Sequence, residues 1–141
     1  MKFICDAPAG KSWFRIETAA EAAVESLAMH HAVEKFFLAE EDKAVRSYRS
    51  PQAGFIERDI GLKSHLLRSM PMFLTLRDAV GQPLATAMLP PNGRDTATFR
   101  PVIVGFANSD PYPAHGPAIE AVARHFLLVL GRARCFPYAR D

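Results

Sequence analysis

Cysteine is scarce in this chain: Cys5 and Cys135 are the only two in 141 residues, and they sit near opposite ends. That excludes a disulfide-dense scaffold, which uses more. One pair without nearby His or Cys partners is also too little for a zinc site. Both are expected to be reduced thiols packed as small apolar side chains. Long apolar runs are missing too. The longest, "FLLVL" at 126–130, is far below the ~18 residues that span a bilayer and reads as a segment of a core helix. The opening "MKFICDAPAG" lacks the apolar core of a signal peptide, so a cytoplasmic location is the default expectation.

A dominant charge is lacking as well. The net charge is +2, divided into −2 over residues 1–62 and +4 over residues 63–141. Eight of the nine basic residues in the second part are arginines, whose planar, permanently charged fork suits carboxylates and other anions. An excess of four is weak beside nucleic-acid binders, which cluster basic residues on one face. Nucleic acid is therefore not an expected partner.

Catalytic signatures are also absent. His30, His31, His65, His115 and His125 form no H-E-x-x-H or Cys/His ladder, so no metal site is expected. Ser12, Ser64 and Ser109 lack a nucleophile-elbow context. Cys135 has Arg132 and Arg134 nearby but no partner base in sequence. Neither a catalytic residue nor a cofactor is assigned. The triplet Gly10-Lys11-Ser12 matches the end of a phosphate-binding loop. That loop, however, needs a glycine where Cys5 stands and a helix beginning at its lysine. Trp13, Phe14 and Ile16 follow instead, and these favour a strand. Without a helix there are no free N–H groups to receive phosphate, so Gly10 is read as a tight-turn residue.

What is present is the composition of one folded domain, 1–141, with 49% hydrophobic and 23% charged residues. "KFIC" and "WFRIE" predict a hairpin around the turn "DAPAGKS". Thr18 and Glu21 form a capping box. It opens a long helix with no Gly or Pro until Pro51. At 100° per residue, Val24, Leu27, Ala28, His31 and Leu38 share one face, while Met29, Val33, Phe36 and Phe37 fall on the other. Two apolar stripes require cover on both sides or a break near residues 38–42. The expectation drawn here is a homo-oligomer contact through Met29, Val33, Phe36 and Phe37. His31, alone on an apolar face, is read as a hydrogen-bonded core residue.

"RSPQAG" at 49–54 is a linker by composition, "FIERDI" at 55–60 a strand, and "GLKSHLLRSM" at 61–70 a short helix closed by Pro71. "MFLTLRD" and "PLATAML" predict a hairpin around "AVGQ". "PPNGRDTAT" at 90–98 is a polar loop. The continuous apolar run "FRPVIVGF" at 99–106 predicts a central strand buried on both faces. "AIEAVARHFLLVL" at 118–130 predicts an amphipathic helix ended by Gly131, and "RARCFPYARD" a last short strand and tail. The fold class is α+β: a single, mainly antiparallel sheet in the order ββα-βα-βββ-α-β, with one long and two shorter helices packed on it.

The candidate site is the stretch 107–117, between the predicted central strand and the following helix. Ser109, Asp110, Tyr112 and His115 gather there, and a strand-to-helix junction offers N–H groups to an anion. Asp110 and His115 also have the chemistry of a carboxylate–imidazole pair. Arg94, in "NGRD", adds a carboxylate- or phosphate-binding group.

The run 72–137, three strands, a helix and a strand, resembles the core of the acetyl-CoA-dependent N-acetyltransferases. In that family a Gly/Arg-rich turn before the helix binds the cofactor pyrophosphate. Here the matching stretch is "NSDPYPAHGPA", which has Gly116 but not the repeated glycines, and in which Pro117 removes an N–H. The resemblance is one of order and implies an acyl-CoA-dependent acyltransferase-like alternative with its site at 107–117. The main expectation is a small protein that acts by binding, in a regulatory or accessory role, without catalysis.

Overall fold

The computed structural model describes residues 1–48 and 55–136, without the side chains of 55–59. The linker assigned to 49–54 and the tail from 137, including Tyr138 and Arg140, lie outside the described residues. The chain forms one five-stranded antiparallel sheet in meander order, with helices on both faces. The strands are β1 (Lys2–Ala7), β2 (Lys11–Ile16), β3 (Met72–Arg77), β4 (Pro83–Leu89) and β5 (Val102–Gly105). The helices are α1 (Ala19–Met29), α2 (Val33–Ser47), α3 (Phe55–Ser69) and α4 (Tyr112–Phe126). The α+β class with a single antiparallel sheet is as the patterning predicted. Among the described residues, no helix is long and apolar enough to cross a membrane.

The opening hairpin forms where expected. Ala9 and Gly10 both adopt left-handed backbone, with φ of 63° and 73°, and turn the chain so that Ala7 pairs with Lys11. Ser12 therefore lies in a strand and no helix follows the Gly-Lys-Ser triplet. In the second hairpin Asp78 organises the turn, its carboxylate accepting from the backbone N–H groups of Val80 and Gln82.

The first helical stretch departs from its expected form. The capping box is present: Thr18 accepts from the Glu21 N–H, and Glu21 reaches back to the Thr18 N–H. But the helix ends at Met29 rather than running on or breaking near 38–42. His30 takes a left-handed conformation, the N–H groups of His30 and His31 both donate to the Ser26 carbonyl, and the Ser26 hydroxyl accepts from the Glu34 N–H. Ser26 thus closes α1 and opens α2. Each resulting helix buries a single stripe: Ala22, Glu25 and Met29 from α1, and Val33, Phe37 and Ala44 from α2. The two apolar faces seen in one continuous helix belong to two separate ones.

Four further assignments are corrected. Residues 55–60 are not a strand but the first turns of α3, since extending an existing helix needs no new nucleus. Among the described residues β5 is not a central strand; it is last in the sheet order, with a parallel bridge from Val102 to Phe136 beyond it. α4 runs from Tyr112 rather than Ala118, but it kinks at His115 (φ −129°, ψ 15°): a first turn, in which the Tyr112 N–H donates to Asp110 Oδ1 at 3.1 Å, precedes the main segment that carries Pro117 near its start. It ends at Phe126, where Leu127 turns left-handed, so "FLLVL" is no core helix: Leu128 and Leu130 point inward while Leu127 and Val129 are exposed. Among the described residues the predicted last strand shows a turn at 132–134 and the Phe136 bridge.

The sheet separates two cores. On one face Trp13, Leu74, Leu76, Ala87 and Ile103 pack against Ile119 and Val122 of α4. On the other, Ile16 and Phe73 pack against Ala22, Val33 and Phe37, the Phe37 and Phe73 rings lying 5.2 Å apart. Full burial of such side chains contributes roughly 1.5–3 kcal/mol each.

Candidate functional site

The sequence-predicted site residues do not all converge. Ser109, Asp110 and His115 line one cavity of about 460 Å³, with Leu84, Phe106 and Pro111 among its other walls. Asp110 and His115 are each engaged elsewhere. Asp110 Oδ2 pairs with Arg132 at 2.5 Å, and its Oδ1 holds the start of α4. His115 Nδ1 accepts from the Lys11 ammonium at 3.1 Å, and burial together with that cation lowers its pKa. Lys11 belongs to the Gly-Lys-Ser turn, which thereby meets α4. Tyr112 points away, donating its hydroxyl to the Leu130 carbonyl at 3.0 Å, with burial raising its pKa strongly. Arg94 is exposed in the 90–98 loop and lines no part of this cavity.

A second cavity, of about 500 Å³, lies on the opposite face of the sheet between the start of α2 and the β4–β5 edge. Its walls include His31, Phe36, Met88, Val104, Asn108 and Phe136. β5 reads as apolar throughout because Ile103 faces the α4 core while Val102 and Val104 face this cavity. Asn108, at its rim, and Ala107 before it both adopt left-handed backbone, with φ of 61° and 52°. Two consecutive non-glycine residues in that region store strain, and such strain gathers at ligand-holding positions.

Beneath the cavity runs a chain of polar side chains. Glu25, fully buried on α1, pairs with Arg77 of β3 at 2.8 Å. Its second oxygen accepts from the Thr86 hydroxyl of β4 at 2.5 Å, and His31 Nε2 lies 2.8 Å from the same hydroxyl oxygen. Arg77 is itself anchored, its Nε donating to Thr75 Oγ1 at 3.1 Å and its Nη1 to the Gly81 carbonyl at 3.0 Å. Thr86 has one proton and gives it to Glu25, so it accepts from His31. The neutral ring therefore carries its proton on Nε2, which leaves the Nδ1 lone pair to accept from the Val33 N–H at 3.4 Å. Burial keeps the His31 pKa below the ordinary imidazole value, against raising contributions from its own backbone and from Glu25.

His31 was legible as a hydrogen-bonded histidine but not as a cavity wall. Glu25 and Thr86 were missed. Their signal is the placement of polar residues at inward positions: Glu25 in the Ala22–Met29 stripe, and Thr75 and Thr86 directly opposed on β3 and β4. Of the residues expected at an oligomer contact, Met29, Val33 and Phe37 are buried in the chain's own core, while Phe36 is 56% exposed at the mouth of the second cavity. Both cysteines are free thiols, and burial raises the pKa of each. Among the described residues, no three His, Cys, Asp or Glu side chains come together in a way that could hold a metal ion.

No family model, curated protein or solved structure matches the chain. The order expected from the acetyltransferase resemblance is found as β3, β4, β5 and α4, followed among the described residues by the Val102–Phe136 bridge. Gly116 and Pro117 directly follow the His115 kink in α4.

Proposed function

We propose that this protein acts by binding a small, mainly apolar molecule in the cavity between α2 and the β4–β5 edge. The observation that carries the reading is the cavity itself: about 500 Å³, walled by apolar side chains from α2, β3, β4 and β5, with one imidazole fixed in a single tautomer at its floor. Small-molecule sites usually occupy about 300–1,000 Å³ and combine apolar walls with a few placed polar groups. The left-handed backbone of Ala107, next to the rim residue Asn108, and the half-exposed Phe36 and Phe136 rings support the same reading.

A titration with the uncharged fluorescent probe N-phenyl-1-naphthylamine tests it. Saturable enhancement at one probe per chain is expected, and Val104→Trp, which fills the cavity from β5, should abolish it while circular dichroism and the melting transition stay native. Unsaturable binding, or binding unaffected by Val104→Trp, would overturn the reading.

A further inference from the structure

Resting on that reading of the cavity, we infer that it takes ligands whose polar end donates a hydrogen bond, such as amines and alcohols, and turns away carboxylates and phosphates. The side-chain protons at the cavity floor are already committed. Arg77 spends its donors on Glu25, Thr75 and the Gly81 carbonyl. Thr86 gives its only proton to Glu25 Oε2. His31 gives its Nε2 proton to Thr86, and its Nδ1 has none. The Arg77 Nη2 and Thr86 protons go to the buried carboxylate, and the His31 proton goes to the Thr86 oxygen in front of it.

The floor that a ligand meets thus offers lone pairs. The Thr86 oxygen donates once and accepts once, which leaves its second lone pair. Behind that oxygen, 2.5 Å away, stands a fully buried carboxylate whose partner cation, Arg77, lies on β3 and is not part of the cavity wall. An incoming N–H or O–H donor meets an acceptor polarised by Glu25. An incoming carboxylate meets oxygen lone pairs with a negative charge behind them, and loses its hydration without receiving a side-chain donor from the floor in return. Asn108, at the rim, carries both a donor and an acceptor and favours neither class. Thr86 is therefore the specificity-determining residue, with Glu25 acting through it and Arg77 positioning Glu25.

Three ligands with the same body and different heads test this by isothermal titration: 2-phenylethylamine, 2-phenylethanol and phenylacetate. The amine and the alcohol are expected to bind at least about tenfold tighter than phenylacetate, a ratio typical of one well-placed hydrogen bond near a charge. Thr86→Val removes the acceptor and frees the His31 Nε2–H, so the preference should shrink to within about threefold or reverse. Thr86→Ser, which keeps the hydroxyl, should retain it. Phenylacetate binding as tightly as the amine in the native protein would overturn the inference, as would a full preference surviving in Thr86→Val. If none of the three binds while N-phenyl-1-naphthylamine still saturates, the donor preference falls and the cavity reading stands. If the dye itself fails to saturate, both fall.

Discussion

The Glu25 carboxylate lies 2.5 Å from the Thr86 hydroxyl, and this contact fastens α1 to β4 across an otherwise apolar layer. A charge with no solvent exposure is tolerated there because each of its oxygens has a donor: Arg77 on one and Thr86 on the other. Burying a carboxylate without such partners is costly. The same arrangement fixes His31 and hence the wall of the cavity, so a stability device and the proposed ligand site share one set of bonds.

Removing Arg77 exposes the cost of that charge. Arg77→Met should destabilise the fold by about 3–5 kcal/mol, since it leaves a buried carboxylate without its cation. The double variant Glu25→Leu/Arg77→Met should recover most of the loss, because replacing both partners with apolar groups leaves nothing unsatisfied between them. Arg77→Lys should fall between, for an ammonium lacks the fork that reaches Glu25, Thr75 and Gly81 together. Urea unfolding followed by circular dichroism measures all three. A single variant no less stable than the double would contradict the account.

Two histidines make stability depend on pH. His31 and His115 both have folded-state pKa values below the ordinary imidazole value, through burial in each case and through Lys11 in the second. The unfolded chain therefore binds more protons than the folded one as the pH drops below about 6.5. The stabilisation is full above that pH and is lost as the pH falls from it toward the lowered values. Unfolding free energy should decrease from pH 7.5 to pH 5.5, above the range where carboxylates titrate. His115→Gln should flatten part of that slope and His31→Gln a further part. A slope unchanged in both variants would show that other groups carry it.

Much of this architecture is written in short-range chemistry. The turn at Ala9-Gly10, the Thr18–Glu21 box and the Asp78 turn depend on residues within five positions of one another, and all three formed as read. The break at His30 was not legible, since no Gly or Pro marks it. It depends on Ser26 capping two helices and on His31 reaching Thr86, 55 residues away. β5 was misplaced because an apolar run looks the same whether both faces meet core or one face lines a cavity. The candidate site shows the same division. Ser109, Asp110 and His115 do line a common cavity, but the bonds that occupy Asp110 and His115 come from Arg132 and Lys11. Glu25 was passed over because only the tertiary fold pairs it.

The single tryptophan tests how α4 is held. Trp13 is fully buried on β2, and its indole N–H donates to the Ala118 carbonyl of α4 at 2.8 Å. The bond crosses from the sheet to the helix beside Pro117, which has no backbone N–H to offer. Trp13→Phe should remove both this bond and part of the ring volume from the α4-side core. A lost hydrogen bond and an incompletely filled space together cost about 2–3 kcal/mol. The urea midpoint, read by circular dichroism because the fluorophore is gone, should fall with little change in slope. Val80→Ser, at a turn position 87% exposed, should by contrast stay within about 0.5 kcal/mol of the native protein. If the two variants prove equally stable, Trp13 does not anchor α4, and the sheet-to-helix packing must rest on the apolar contacts of Ala118, Ile119, Val122 and Ala123.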